Sequence, residues 1–349
     1  LKECIETAGK DLGSVRNLKI TGQITSKDFA TMKYLMPRLN ALNLKEVVIV
    51  AGEGGNIDGI EDYGYHANED DEIPVLAMQS KESLVSLVLP DKLRIIGGGT
   101  GGHTGAFAEC SNLSGSLIIP EGVVKIGGAA FAECTSLTGT LSLPSTLKQI
   151  GETNTYDPYW DGVFFGCNFT CELLIPESVE IIGSGTFSNC KNLYGEIRLP
   201  DGLKYIGSSA FERCENFTGD LVIPQGITDI PVNCFYGTWV GGALVLHDGI
   251  TTIGDGAFAN TGLKGELRLP KDLEVISHNV FYNCDFSGEL VLPENLYTIG
   301  DKAFAYNWRL MGTLEIPENV KAFFLTAFIL FAFALLCALL VLIFGIFTK

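Results

Sequence analysis

One phrase of about two dozen residues recurs through most of the 349-residue chain, and it limits the possible folds more than any other feature. It reads most cleanly as Leu141-Ser-Leu-Pro144-Ser-Thr-Leu147-Lys-Gln-Ile150-Gly and again from Ile197 through Pro200, Leu203, Ile206 and Phe211 to Cys214. With the proline as marker it returns at Pro90, Pro120, Pro144, Pro176, Pro200 and Pro224, with His247 in the same slot, then at Pro270, Pro293 and Pro317. The gaps run 30, 24, 32, 24, 24, 23, 23, 23 and 24. A period of this size with leucines at fixed offsets specifies a solenoid, in which each unit buries its open face against the next.

The slots of the phrase follow from elementary geometry. Alternation in Leu-x-Leu-Pro sends both leucines to one side of a strand and the residue between them to water. Proline cannot donate to a ladder, and the Asp-Gly, Glu-Gly or Glu-Asn that follows favours reversal of the chain. The expected architecture is therefore a strand-rich leucine-rich-repeat solenoid over residues 73–320. It has one short strand per 23- or 24-residue repeat, joined by short helical or 3-10 turns. The remaining apolar slots are a Leu, Val or Ile three residues after the proline, an Ile six after it, and an Ala-Phe pair beyond.

Ten cysteines invite a disulfide reading, but the repeat accounts for most of them. Three residues after the phenylalanine stand Cys110, Cys134, Cys167, Cys190, Cys214, Thr238, Thr261, Cys284 and Asn307. Cys, Thr and Asn share small size and a side chain able to hydrogen-bond to nearby backbone. A disulfide framework could not exchange Cys for Thr, so these are expected to be buried structural thiols. Cys167 and Cys171 have C-x3-C spacing, yet Cys171 sits where other repeats carry Gly195, Gly219 or Gly288, and no second pair or adjacent His completes a zinc site.

Ahead of the repeats, residues 1–51 read as an N-terminal α/β cap with the first leucine phrase. A short helix ends near Gly9, Asn17 to Ile24 alternates as a strand, and Thr25-Ser26 caps a helix from Lys27 to Met36 that stops at Pro37. Leu1 rather than Met opens the chain, so any signal peptide has been removed or was never part of this sequence. Residues 52–72 carry eight acidic residues and no Lys or Arg. They do not follow the EF-hand pattern, so a solvated loop is expected rather than a calcium site. Met78 stands in the phenylalanine slot of the first repeat.

Two repeats are lengthened between the Ile-Gly and the Ala-Phe, which places both insertions on one edge. The first contains His103 within a glycine-rich run, and the second contains Tyr156, Asp157, Tyr159 and Trp160. Aromatics on loops act as binding anchors, and the alternative is that they fold down as a local plug. Gly97-x-Gly99-x-x-Gly102 matches a dinucleotide motif in form only, because no βαβ unit surrounds it.

The outward strand slots form two columns. Four before the proline the residues are mostly polar or acidic. Two before it stands an aliphatic stripe, from Val88 and Ile118 to Val291, interrupted by Arg198 and Arg268. A contiguous apolar stripe marks a partner surface, although valine also fills strands by propensity alone. A net charge of -17 without a basic stretch argues against nucleic acid. No Ser-His-Asp, Cys-His or paired-carboxylate set stands out, so neither catalysis nor a cofactor is expected. Candidate ligand contacts are Tyr156, Asp157, Tyr159, Trp160, His103, Arg198 and Arg268.

The recurrent L-x-[LI]-P-x-x-[LV]-x-x-I-G-x-x-A-F-x-x-C over about residues 73–319, with the cap around Lys19 to Phe29, resembles the BspA-type leucine-rich repeat family of bacterial surface proteins, also abundant in some protozoa. The resemblance implies a secreted or surface-exposed scaffold, some members being adhesins for host matrix proteins or other cells, and it carries over no catalytic residue. After Pro317 the chain departs from the pattern: Ala322 to Phe347 are 26 residues without charge. As a helix they would run about 39 Å, enough to span the ~30 Å hydrocarbon core. Residues 321–349 are accordingly expected as a transmembrane helix, with Lys321 and Lys349 giving no orientation. The resulting expectation is a non-catalytic protein at a cell surface or the outer face of a membrane, binding a protein or glycan. Rival readings are a purely structural surface-layer or stalk component and a hydrolase at the insert edge around His103 and Asp157.

Overall fold

The computed structural model of the chain describes residues 1–52, 67, 69–99, 104–153, 161–313 and 315–323. The repeats wind as a strand-rich parallel solenoid of about 11 turns. Contacts group the chain into two units. One comprises Leu1–Tyr194 with Gly202–Phe211, the other Gly195–Asp201 with the chain from Glu212 onward.

The cap follows the sequence signals closely. After α1 (Lys2–Thr7), strands β1 (Asn17–Ile24) and β2 (Ala41–Ile49) pair in parallel around the crossover helix α2 (Ser26–Tyr34), and Ser86–Val88 adds to β2. Thr25 and Asp28 form a reciprocal capping box at the start of α2, and the helix buries Phe29 and Met32. It ends two residues before Met36, where Lys81 intervenes: its buried ammonium donates to the carbonyls of Lys33 and Met36, each at 2.7 Å. A cation here satisfies the carbonyl end of the helix and fastens the cap to the first repeat.

Each repeat carries more than the one strand predicted. The longest ladders lie at the Ile-Gly segment. In the first unit Glu72–Ile73, Ile95–Ile96, Lys125–Ile126, Gln149–Ile150, Ile181–Ile182 and Tyr205–Ile206 form a six-stranded parallel sheet. In the second unit Asp229–Ile230, Thr252–Ile253, Val275–Ile276, Thr298–Ile299 and Ala322–Phe323 form a five-stranded one. The Leu-x-Leu-Pro segments pair in shorter sheets, such as Leu117–Ile118 with Leu141–Ser142 and Leu221–Val222 with Leu244–Val245. The residue after the isoleucine extends the ladder, as Ser277 does by donating to Ile253 at 3.1 Å, and in most repeats it is glycine. Its amide donates to the isoleucine carbonyl one repeat back, at 2.8 Å for Gly127 on Ile96 and 2.6 Å for Gly183 on Ile150. A Cβ on Gly127 would lie 2.4 Å from the Gly98 nitrogen, so only glycine admits so close an approach. Proline, by contrast, ends each Leu-x-Leu segment after two or three residues.

The arc around the phenylalanine is a run of turns rather than the expected helical or 3-10 segment. Residues two before and two after the ring adopt φ of +53° to +64° in several repeats, among them Ala129 and Glu133, Ser209 and Arg213, and Asn279 and Asn283. A left-handed residue breaks any right-handed helix. It also turns backbone amides toward the next repeat, as where Phe107 and Glu109 donate to the carbonyls of Ala130 and Ala132 at 2.8 and 2.7 Å.

Inside each unit the phenylalanines form a stack. Phe107, Phe131, Phe164, Phe187 and Phe211 follow one another at centroid distances of 5.2, 5.9, 5.7 and 5.4 Å, and Phe235, Phe258, Phe281 and Phe304 at 5.6, 5.6 and 5.4 Å. Met78 is fully buried in the same slot of the first repeat. Beside the stack runs the expected polar rung. Cys134, Cys167 and Cys190 donate through Sγ to the carbonyls of Phe107, Phe131 and Phe164 at 3.1, 3.2 and 3.0 Å; Asn307 donates through Nδ2 to Phe281 at 2.6 Å. Thr261 donates to its own repeat's Phe258 at 2.8 Å and meets Cys284 at 3.3 Å.

The C-terminal expectation needs correction at its start. Ala322 and Phe323, the first residues of the presumed membrane helix, form a strand paired with Thr298–Ile299, so the repeat register continues into the apolar run. Among the described residues no helix is long and apolar enough to cross a membrane. Residues 324–349, and the acidic loop apart from its ends, lie outside the described residues.

Candidate binding surface

Alternation on the Leu-x-Leu-Pro segment decides which side chains meet solvent. Leu117 and Ile119 point inward and are buried, whereas Ile118 between them is 67% exposed. The outward aliphatics of the first unit are Val88, Ile118 and Leu174; those of the second are Val222, Val245 and Val291, at 40% to 69% exposure through the set. In the first unit the stripe deepens into a groove of about 440 Å³ between Ser86–Val88 and Leu117–Ile118. These two segments belong to different sheets, so no ladder closes the space between them. Leu87, Val88, Leu89, Ile118 and Pro120 give the groove apolar walls, and Lys45, Asp91 and Glu121 bring charges of both signs.

Arg198 and Arg268 lie on the corresponding face of the second unit, three repeats apart, and each is held by a glutamate on its own segment. Arg198 donates through Nη2 and Nε to Glu196 at 2.9 and 3.1 Å, and Arg268 through Nη2 to Glu266 at 3.1 Å. Exposed pairs of this kind contribute about 0–1 kcal/mol. They leave further guanidinium donors for a ligand, while locally cancelling the positive charge. A shallow depression lined by Glu196, Arg198, Asp201, Asp220 and Val222 adjoins Arg198. The other candidates, His103, Tyr156, Asp157, Tyr159 and Trp160, lie outside the described residues.

The second unit also exposes an aromatic edge that the slot reading passed over. Trp239 and Trp308 are 66% and 60% exposed. Tyr306 packs edge-on against Tyr282 at 5.0 Å and against Trp308 at 5.9 Å. Both tryptophans directly follow a rung residue, a slot that holds Ser111, Thr135, Asn168, Lys191, Glu215 and Asp285 in other repeats. Two tryptophans in a column that otherwise holds polar residues and Gly262 were the available signal.

Among the described residues the buried thiols and two histidines are engaged within the fold. Burial pushes the thiols of Cys110 and Cys284 up to about 12 and those of Cys134 and Cys167 well above the usual range. A thiol so raised supplies no thiolate nucleophile. Cys167 and Cys171 are both free thiols with separate partners: Cys167 donates to Phe131, and Cys171 accepts from the Leu141 amide at 3.3 Å. His247 is engaged with the Ile227 carbonyl and the Gly249 amide, and His278 accepts from the Asp301 amide. Among the described residues no group of His, Cys, Asp or Glu could hold a metal ion.

Comparison with known proteins agrees with this architecture. The family model for the BspA type leucine rich repeat region matches in six copies, over residues 71–157, 160–285 and 218–330. Similar solved structures include a leucine-rich repeat protein from Bacteroides ovatus, 21% identical over 72% of this chain and 77% of that one, with TM-score 0.46. A leucine rich cell surface protein from Faecalibacterium prausnitzii is 19% identical over 88% of this chain and 74% of that one, with TM-score 0.42. The T. pallidum leucine rich repeat protein is 23% identical over 68% of this chain and 81% of that one, with TM-score 0.36. A search of curated proteins found no match. The family match covers well over half of the chain, and with the stacked Leu-x-Leu-Pro, Ile-Gly and Ala-Phe slots it establishes that the protein belongs to the BspA-type leucine-rich repeat family.

Proposed function

We propose that the chain is a non-catalytic cell-surface recognition protein that holds a protein partner against its open strand face, in the manner of an adhesin. The observation that carries this reading is the groove of the first unit, where exposed Val88 and Ile118 meet charges of both signs. Monomeric proteins seldom leave such apolar side chains aligned on one face without a partner. An apolar centre with a charged surround is also the anatomy of a protein interface. The relative from Faecalibacterium prausnitzii, described as a cell surface protein, supports display outside the cell. Arg198 and Arg268 belong to the same face in the second unit. The insert residues His103, Tyr156, Asp157, Tyr159 and Trp160 are assigned as further contacts to protein or glycan. Attachment to a membrane through the uncharged run after Phe323 completes the proposal.

Binding to an immobilised panel of extracellular-matrix proteins and to intact epithelial cells tests it, comparing the wild type with Ile118→Asp and with a Tyr156/Tyr159/Trp160 triple alanine variant. A charge placed on the groove should weaken binding at least tenfold with the circular dichroism spectrum unchanged. Full binding by Ile118→Asp would remove the groove from the site, and no binding by the wild type would favour a structural stalk component.

A further inference from the structure

The aromatic edge of the second unit is built differently from the rest of the solenoid. Two residues after the phenylalanine, successive repeats place Asn260, Asn283 and Tyr306, all with left-handed backbone at φ of 57°, 54° and 64°. Asparagine adopts this conformation readily, whereas for a bulky ring it is an outlier that the surroundings must enforce. Tyr306 is held there with its ring against both Tyr282 and Trp308. Trp308 remains mostly in solvent. Beside the rings, the exposed amide of Asn283 donates to Asn260 at 3.0 Å. That bond uses one of its two N–H donors, and its carbonyl is still able to accept. The charges adjoining Trp308 cancel, because Arg309 pairs with Asp285 at 3.2 Å.

From this arrangement we infer that Tyr282, Tyr306 and Trp308, flanked by the amides of Asn260 and Asn283, form a binding site for a neutral oligosaccharide. A pyranose offers an apolar C–H face to an aromatic ring and hydroxyls at its rim to amides, which are the two kinds of group this edge presents together. A patch whose nearest charges are paired has nothing with which to select an anionic or cationic ligand. Three rings and two amides also fall well short of the ~800 Å² per side that a stable protein interface buries. Tyr306, packed edge-on between Tyr282 and Trp308, links the three rings before the ligand arrives, so less ordering remains to be done on binding. This site uses slots on the phenylalanine turn, distinct from the strand-face slots of the proposed protein surface.

The test is titration of the full chain with gluco-, manno- and N-acetylglucosamine oligosaccharides of four to eight units, and with uronic-acid oligosaccharides, followed by tryptophan fluorescence and calorimetry. Trp308→Ala, Tyr306→Asn and Ile118→Asp serve as variants, with folding checked by circular dichroism. At least one neutral series should bind and shift Trp308 emission. Trp308→Ala should weaken it tenfold or more, Tyr306→Asn should weaken it while relieving backbone strain, and Ile118→Asp should leave it unchanged. Absence of binding by every neutral series, equal binding by Trp308→Ala, or preference for the uronic acids would each overturn the inference. Loss of matrix-protein binding in Ile118→Asp with sugar binding intact, or the converse in Trp308→Ala, separates the two surfaces.

Discussion

Alkaline pH should unfold the solenoid through its rung thiols. Cys110 and Cys284 titrate in the folded chain at about 12, against an ordinary value of 9.0, because burial opposes the thiolate; Cys134 and Cys167 are raised well above it for the same reason. Above pH 9 the unfolded chain therefore sheds protons that the folded chain keeps, and stability falls as pH rises. Each such thiol costs up to about 1.4 kcal/mol per pH unit. By pH 10 Cys110 and Cys284 alone remove about 3 kcal/mol, and Cys134 and Cys167 add to that loss, against the 5–15 kcal/mol stability of an ordinary domain. Lys33, which burial lowers to about 8, and Lys81, also lowered by burial, act in the opposite sense because the unfolded chain holds those protons longer. Lys33 alone offsets at most about 2–3 kcal/mol by pH 10, solvent screening its half-buried ammonium, after which the lysine contribution levels off while the thiols continue to cost stability. Far-ultraviolet circular dichroism should show cooperative loss of structure between about pH 10 and 11. Threonine occupies the same rung natively at Thr238 and Thr261, so Cys134→Thr with Cys167→Thr should keep the fold and move the alkaline midpoint upward. An unchanged alkaline midpoint in that double variant would refute the linkage.

Two further perturbations probe packing. In a double-mutant cycle of Phe131→Leu and Phe164→Leu, whose rings stack at 5.9 Å, the coupling should be about 0.5–1.5 kcal/mol in urea unfolding; additive losses would show that the stack contributes area alone. Lys81→Met should leave the Lys33 carbonyl without its ammonium partner while Met36 keeps the Leu39 amide, costing about 1–3 kcal/mol. Faster hydrogen exchange confined to α2 would report this, and unaltered exchange there would contradict the clamp.

How much of this was legible in the sequence depended on whether a slot leaves a pattern. The rung could be read because Cys, Thr and Asn exchange only where a small hydrogen-bonding side chain is required, and Met78 could be placed because the spacing to Pro90 fixed its slot. The Ile-Gly ladder could not, because a two-residue strand shows no alternation and its glycine looks like an ordinary turn residue. Left-handed positions show only as aligned columns, where Gly166, Asn189, Gly237, Asn260 and Asn283 share the slot two after the phenylalanine; Ala129, Glu133, Arg213 and Lys302 taken singly carry no such signal, and the stacking of repeats overrides their local preference. The strand-face stripe was legible from alternation, while the groove beside Val88 was not, since it arises where two sheets fail to join. The glutamates that hold Arg198 and Arg268 stand two residues before them, on the same face, a pairing the column reading kept apart. Trp239 and Trp308 were visible in principle, but only with the column after the rung aligned.

The claim beneath both proposed surfaces is that outward slots 24 residues apart lie side by side, as Ile118 and Ser142 do in the parallel pairing of their strands. Nitroxide labels on Ile118→Cys and Ser142→Cys, in a chain with Cys4 and Cys337 replaced by serine, measure this directly by electron paramagnetic resonance. Neighbouring parallel strands put the labelled backbones about 4.8 Å apart, so the doubly labelled chain should show strong dipolar broadening absent from either single label. A double-label spectrum equal to the sum of the two singles would contradict the account.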